Sequence, residues 1–138
     1  MKDIETSCVP PGTITSVRLI EMVFPEQTNH YGTLFGGEAL ALMDKTAFIL
    51  GSRYCRRNVV TASSERIDFR YPVQQGQLAE FIGTVIKTGR TSITIQVDMY
   101  AENLLSGARH LCTKGSFVLV ALDDDGKPVE IPSLDTLS

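Results

Sequence analysis

One long stretch constrains the fold of this chain more than any other feature. Residues 38–54 are rich in Ala, Leu, Met and Phe and contain no proline, and the pair Gly36-Gly37 stands immediately before them. This composition favours a helix that begins after the glycines. Its apolar residues lie all around the helical wheel: Leu40, Leu42, Met43, Ala47, Phe48, Ile49 and Leu50. A helix that is apolar nearly all round is buried, so the remaining chain must surround it.

The other patterned segments are typical of β-strands, because β-branched residues are frequent and apolar residues alternate with polar ones. We predict strands at residues 14–23, 58–69, 78–87, 91–101 and 109–122. Thr88-Gly89-Arg90 indicates a hairpin between the third and the fourth. The simplest architecture is an α+β fold in which a mostly antiparallel sheet of about five strands wraps around the helix. Its exposed edges favour pairing with a second copy of the chain.

Length and composition exclude several classes of protein. The 138 residues suit a single domain, which we place at residues 14–132 between a lead-in (1–13) and a tail (133–138). The longest apolar run, residues 117–122, is far too short to cross a membrane, and the first residues do not resemble a signal peptide. A net charge of −3 disfavours a nucleic-acid binder.

The three cysteines favour a reducing compartment. Cys8, Cys55 and Cys112 are odd in number and far apart, which fits neither a disulfide framework nor a zinc site. No other cluster has the spacing of metal ligands, so no metal is expected. We therefore expect a cytoplasmic protein.

Asp44 is the most informative polar residue. Its helical neighbours at i−4, i−3, i+3 and i+4 are all apolar: Leu40, Ala41, Ala47 and Phe48. A charge on such a stripe needs a partner, so one interpretation is a structural aspartate at a polar seam. The other is a general base or nucleophile whose reactivity is raised by partial desolvation.

The second candidate is the loop that precedes the helix, residues 29–37. Free N–H groups at a helix start bind anions or a developing oxyanion, and Gly36 and Gly37 would let a carbonyl approach closely. The alternative is that the glycine pair only makes a tight turn. Because Asp44 lies about 10 Å along the helix from Gly37, one subunit cannot readily bring both to the same carbonyl carbon. A site shared between two copies is therefore a hypothesis.

Other residues have weaker claims. Arg90 at the hairpin tip suits bidentate contact with a phosphate, or it is only a solvated cation in a turn. Its rivals for a phosphate are Lys87, Arg66, Arg70 and Lys114. His30 is either a general base or, more in keeping with its loop, a hydrogen-bonding residue, and His110 is expected to be structural. The chain has no GxSxG motif, which excludes an α/β-hydrolase nucleophile elbow.

Taken together, Asn29-His30-Tyr31-Gly32-Thr33-Leu34-Phe35-Gly36-Gly37 and Met43-Asp44 resemble the signature of the acyl-CoA thioester hydrolases of the hotdog-fold superfamily. The nearest group is the YciA-like and cytosolic (brain-type) acyl-CoA hydrolases. Further matches, spread over residues 17–132, are Val60-Thr61, Phe69 with Pro72-Val73 and Gly76, Thr88-Gly89-Arg90-Thr91-Ser92, and Gly126-Lys127-Pro128 before Pro132.

The resemblance implies a hotdog fold whose sheet continues across a homodimer, with further assembly into tetramers or hexamers. It implies hydrolysis of acyl-CoA to CoA and a carboxylic acid without a metal or organic cofactor. Asp44 would be the catalytic carboxylate, Asn29 its polar partner from the facing subunit, and Gly36 or Gly37 the oxyanion donor. The remaining implied residues would hold the CoA substrate near the reacting centre: Thr61, His30, Phe35, Gly89, Arg90, Thr91 and Ser92.

Two departures and two alternative functions accompany this resemblance. Gln77 replaces a frequent acidic residue, and Ser63-Ser64 is more polar than the usual pair. A dehydratase on the same fold would usually pair a His with an acidic residue, and the helix offers Asp44 without one. The second alternative is a module that binds acyl-CoA without cleaving it. Such a module would not need a carboxylate at position 44.

Overall fold

The computed structural model describes residues 6–134, so the first and last few residues of the predicted lead-in and tail lie outside it. The α-helix, α1 (Gly36–Cys55), is preceded by a 3₁₀ turn at Pro25–Gln27 and packs against one antiparallel sheet. Its strands are β1 (Ser16–Met22), β2 (Asn58–Ser64), β3 (Leu78–Thr88), β4 (Ser92–Glu102) and β5 (Arg109–Leu122). They lie in the order β1-β3-β4-β5-β2, and all pairs are antiparallel. The predicted α+β fold is confirmed. Within residues 6–134, no helix is long and apolar enough to cross a membrane.

The core lies between α1 and the concave face of the sheet. Strand β4 shows most clearly how the sequence builds this core. Every second residue from Ile93 to Ala101 is buried, because alternate side chains of a strand point to the same face of the sheet. Glycines let the helix approach the strands closely. A Cβ added at Gly115 would lie 2.9 Å from Ile67 and 3.1 Å from Met43, and one at Gly83 would lie 3.3 Å from Thr46.

Several predicted boundaries were wrong: β1 spans Ser16–Met22 rather than 14–23, and the ends of β3, β4 and α1 shift by one residue. The helix begins at Gly36 rather than at residue 38, so the glycine pair forms its first turn instead of preceding it. The second strand ends at Ser64 rather than at residue 69, because its regular ladder with β5 stops there, after a register shift between Thr61 and Ser63. The following segment still runs beside β5, since Arg70 N–H donates to the carbonyl of Cys112.

The expectation of a fully buried helix holds for one face only. The side of α1 that faces the sheet is buried, including Met43, Ala47 and Leu50. Leu40 and Phe48, one turn to either side of Asp44, remain 42% and 48% exposed. A single chain therefore leaves an apolar helix face uncovered around its central carboxylate.

A charged network crosses the outer face of the sheet. Glu80 on β3 is only 5% exposed, and its carboxylate lies 2.6 Å from Arg109 and 3.3 Å from Arg18. Arg109 also pairs with Glu102 and stacks over the ring of Tyr100. The hydrogen bond to Glu80 raises the pKa of Arg109 above its ordinary value. Arg109 thus neutralises a buried carboxylate, which assigns it a structural task.

Candidate active site

Asp44 and Thr61 meet where the helix passes the edge strand. Asp44 is half-buried in the middle of α1, and the Thr61 hydroxyl on β2 donates a 2.8 Å hydrogen bond to its Oδ1. The other carboxylate oxygen accepts no hydrogen bond within residues 6–134. The carboxylate is therefore oriented by one neighbour and keeps one oxygen for a water or a substrate.

A surface cavity of about 350 Å³ opens beside this carboxylate. Its walls come from α1, β2 and β5: Gly37, Leu40, Ala41, Asp44, Thr61, Ser64 and Phe117. The structure thus brings three predicted site residues, Gly37, Asp44 and Thr61, to one cavity. It adds Ser64, which the sequence marked only by its unusual polarity.

The first turn of α1 offers unprotected N–H groups at one end of this cavity. Phe35 occupies the N-cap position in an extended conformation, and no side chain caps the helix. The helix therefore begins with N–H groups that have no intrahelical acceptor. Gly36 and Gly37 are exposed, and the Phe35 ring lies against Gly37, where an added Cβ would be 3.2 Å from it. This geometry suits an oxyanion.

Asn29 is held within its own loop. Its side-chain oxygen accepts hydrogen bonds from the N–H groups of Tyr31 (2.9 Å) and Thr33 (3.3 Å) and from the Thr33 hydroxyl (3.1 Å). This fixes the side chain and leaves its NH₂ group as the free donor. The exposed His30 stacks on Tyr31 at a centroid distance of 3.9 Å. Neither Asn29 nor His30 is hydrogen-bonded to Asp44 within the described part of the chain.

The hairpin tip, Gly89 to Ser92, lies near the opposite end of the helix. Its turn closes through a 2.8 Å bond from Gly89 N–H to the carbonyl of Ser92. The Arg90 carbonyl accepts a 3.0 Å hydrogen bond from Ile131 N–H, and the Arg90 guanidinium lies 3.7 Å from the Glu130 carboxylate. The carbonyl of Thr91 accepts from the Ala121 N–H. Within one chain the structure therefore joins the tip to the C-terminal segment and not to Asp44.

The buried cysteines are poor nucleophile candidates. Burial raises the pKa of the Cys55 thiol to about 11 and also raises that of Cys112. Both thiols therefore stay protonated near neutral pH, and the thiolate is the reactive form. Asp44 remains the side chain best placed for chemistry on the cavity.

Comparison with known proteins places the chain in a family. The thioesterase superfamily matches residues 31–108. The uncharacterized acyl-CoA thioester hydrolase YkhA of Bacillus subtilis is 39% identical over 110 residues, covering 80% of this chain, which spans 64% of that relative. The acyl-CoA thioester hydrolase YciA of Salmonella typhimurium is 33% identical over 114 residues, covering 80% and 86% of the two chains. The cytosolic acyl coenzyme A thioester hydrolase of Rattus norvegicus is 31% identical over 118 residues, and the match covers 84% of this chain and 31% of the rat protein.

The chain also superposes on solved structures of proteins with the same kind of name. An acyl-CoA hydrolase from Staphylococcus aureus, in complex with butyryl coenzyme A, coenzyme A and coenzyme A disulfide, superposes with a TM-score of 0.83 at 30% identity, covering 90% of this chain and 76% of that chain. An apo-hexameric acyl-CoA thioesterase superposes with a TM-score of 0.87 at 36% identity, covering 94% and 83%.

The Staphylococcus aureus enzyme has also been solved as single alanine variants of an asparagine, an aspartate and a threonine. The three replaced residues are 15 and 17 positions apart along that chain, the same intervals that separate Asn29, Asp44 and Thr61 here. Together with the match over residues 31–108 and the relative of similar length in Salmonella, the fold confirms the resemblance found in the sequence. The chain belongs to the thioesterase superfamily and has its hotdog fold.

Proposed function

We propose that this chain hydrolyses acyl-CoA thioesters to free CoA and a carboxylic acid. The observation that carries the proposal is the cavity on which the half-buried Asp44 carboxylate and the open first turn of α1 both lie. One supplies a base or nucleophile and the other supplies N–H donors for the oxygen that becomes charged. The names of the relatives support the choice of acyl-CoA as substrate.

In the proposed reaction, the thioester carbonyl beside Asp44 points towards the Gly36-Gly37 turn of the partner subunit, since the turn of the same chain lies about 10 Å away along the helix. Either Asp44 takes a proton from a water whose oxygen adds to the carbonyl carbon, or Asp44 adds directly and forms a mixed anhydride that water then hydrolyses. In both routes the C–S bond breaks and CoA leaves as the thiolate. Each N–H donor to the oxyanion contributes about 2.7–4 kcal/mol, so the turn matters as much as the carboxylate.

The residue intervals support specific roles. Asn29, Asp44 and Thr61 stand at the spacing of the three residues replaced in the Staphylococcus aureus structures. Thr61 would orient the carboxylate through its 2.8 Å hydrogen bond. Asn29, with its side-chain oxygen bound to its loop, would present its NH₂ group to a substrate or water.

We propose a homodimer as the minimal active unit. Strand β2 is an end strand of the sheet, and every residue in it except Val59 is exposed. It adjoins the uncovered helix face around Leu40 and Phe48, so one partner could cover both surfaces. In such a dimer Asn29 would come from the facing subunit. The hexameric relative supports further assembly of dimers.

We propose a cytosolic location, which the proposed substrate and the free cysteines support. Acyl-CoA is an intracellular metabolite, the three cysteines are free, and one relative is named as cytosolic.

The proposal is tested by incubating the wild-type protein with short, medium and long acyl-CoAs and measuring the release of thiol. We expect CoA release from at least one of them. Hydration of an enoyl-CoA without thiol release would instead identify a dehydratase. Tight binding without either reaction would identify a sensing module, and both results would overturn the proposal.

A further inference from the structure

A second cavity, which we call the basic groove, lies beside the first. It has a volume of about 690 Å³ and lies between residues 66–71 and the beginning of β5. Cationic side chains dominate its polar lining: Arg66, Arg70, Arg109 and Lys114, with His110 and a single carboxylate, Asp68. We propose that the basic groove binds the phosphate groups of CoA. This inference rests on the proposed function and names the residues that would hold the charged end of its substrate.

The charge of the groove runs against that of the whole chain. The protein has a net charge of −3, yet four of its 13 Lys and Arg residues line this one cavity. Arg66 forms an ion pair with Asp68 at 3.1 Å, and Arg109 forms ion pairs with Glu80 and Glu102. Arg70 and Lys114 have no ion-pair partner within residues 6–134. Two unpaired cations facing one groove are suited to a multiply charged anion.

The chain length between the two cavities is compatible with one CoA molecule reaching both. Ser64 lines the Asp44 cavity and Arg66 lines the groove, so at most about 7 Å of extended chain separates the two walls. The five residue steps from Thr61 to Arg66 span at most about 17 Å. The pantetheine arm between the thioester sulfur and the first phosphorus has about thirteen bonds, the equivalent of roughly four extended residues or about 14 Å. A thioester held at Asp44 can therefore place its phosphates at the groove.

Arg90 is less suited to this task within its own chain. Its guanidinium lies 3.7 Å from Glu130, and its carbonyl is bound by the C-terminal segment. The side chains of Arg70 and Lys114 form no ion pair within the described residues. The groove thus favours two of the rival cations considered from the sequence over the one at the hairpin tip.

The experiment compares two substrates that share an acyl group and differ in their phosphates, acyl-CoA and acyl-pantetheine. Arg70→Ala and Lys114→Ala are each expected to raise KM for acyl-CoA about tenfold, because a charge-assisted contact is lost, while kcat stays unchanged. Both variants should leave the kinetics with acyl-pantetheine unaltered. Lys127→Ala, which removes a cation from an exposed turn, serves as the control and should change neither. Arg109 is left intact because it neutralises the buried Glu80.

The outcomes distinguish failure of the proposed hydrolase function from failure of the groove assignment. If wild-type protein cleaves neither substrate, the proposed function fails. If it cleaves both and the two groove variants leave KM for acyl-CoA unchanged, or alter both substrates equally, the groove assignment fails alone. A rise in KM confined to Arg90→Ala would also overturn it, in favour of the hairpin tip.

Discussion

Replacing Asp44 by Asn is expected to lower kcat for acyl-CoA hydrolysis by about 10²–10⁴-fold, the usual contribution of a positioned general base. The amide keeps the size of the carboxylate and can still accept the 2.8 Å hydrogen bond from Thr61. It can neither take a proton from water nor attack a carbonyl, so both chemical routes are lost together. Thiol release under saturating substrate measures the effect.

A matched variant separates chemistry from folding. Asp124→Asn removes a carboxylate from an exposed turn and should retain wild-type turnover. The thermal unfolding midpoint of Asp44→Asn should equal or exceed that of the wild type, since a half-buried charge is removed from an apolar helix face. Turnover of the folded Asp44→Asn protein within a few-fold of the wild type would remove Asp44 from the mechanism.

Phe48→Glu is expected to dissociate the dimer and abolish activity with it. Phe48 is 48% exposed in one chain and lies on the same helix face as Leu40 and Asp44. In a two-fold interface each residue occurs twice, so the substitution introduces two carboxylates where an apolar surface should be buried. Sedimentation velocity and thiol release, measured on the same sample, report assembly and activity.

Leu105→Glu is the control for that experiment. Leu105 is 98% exposed in the loop between β4 and β5, so a charge there should change neither assembly nor turnover. A wild-type protein that is monomeric and active would contradict the dimeric site. A monomeric Phe48→Glu variant with full activity would contradict it equally.

Most of the fold could be predicted from the sequence because its signals are local. The alternation in β4 and the proline-free apolar run of α1 each specify one element without reference to the rest. The end of β2 could not be predicted, since the point where its ladder with β5 stops depends on contacts between distant segments. The start of the helix was misplaced because glycines discourage helix in isolation, whereas the fold uses them for an open first turn.

In the candidate site, too, local patterns reveal some residues, whereas contacts between distant segments remain hidden. Asp44 was identifiable because a charge on an apolar stripe conflicts with local expectation. Its contact with Thr61 joins residues 17 positions apart, and the convergence of Arg66 and Arg70 with Lys114 spans a longer interval. Contacts of this kind depend on the order of the strands in the sheet, and residue spacing does not reveal that order. The sequence favours Arg90 for a phosphate, because residue spacing does not reveal its ion pair with Glu130.

The central claim, that a catalytic carboxylate works across a subunit boundary with its partner's loop, is tested most directly by mixing two inactive proteins. Asn29→Ala and Asp44→Ala should each show little turnover alone. After subunit exchange, random pairing makes half of the dimers mixed, and each mixed dimer holds one site with both residues intact, so about a quarter of wild-type activity should return. If differently tagged subunits are shown to have exchanged and no activity returns, the two residues act within one chain and the shared site is wrong.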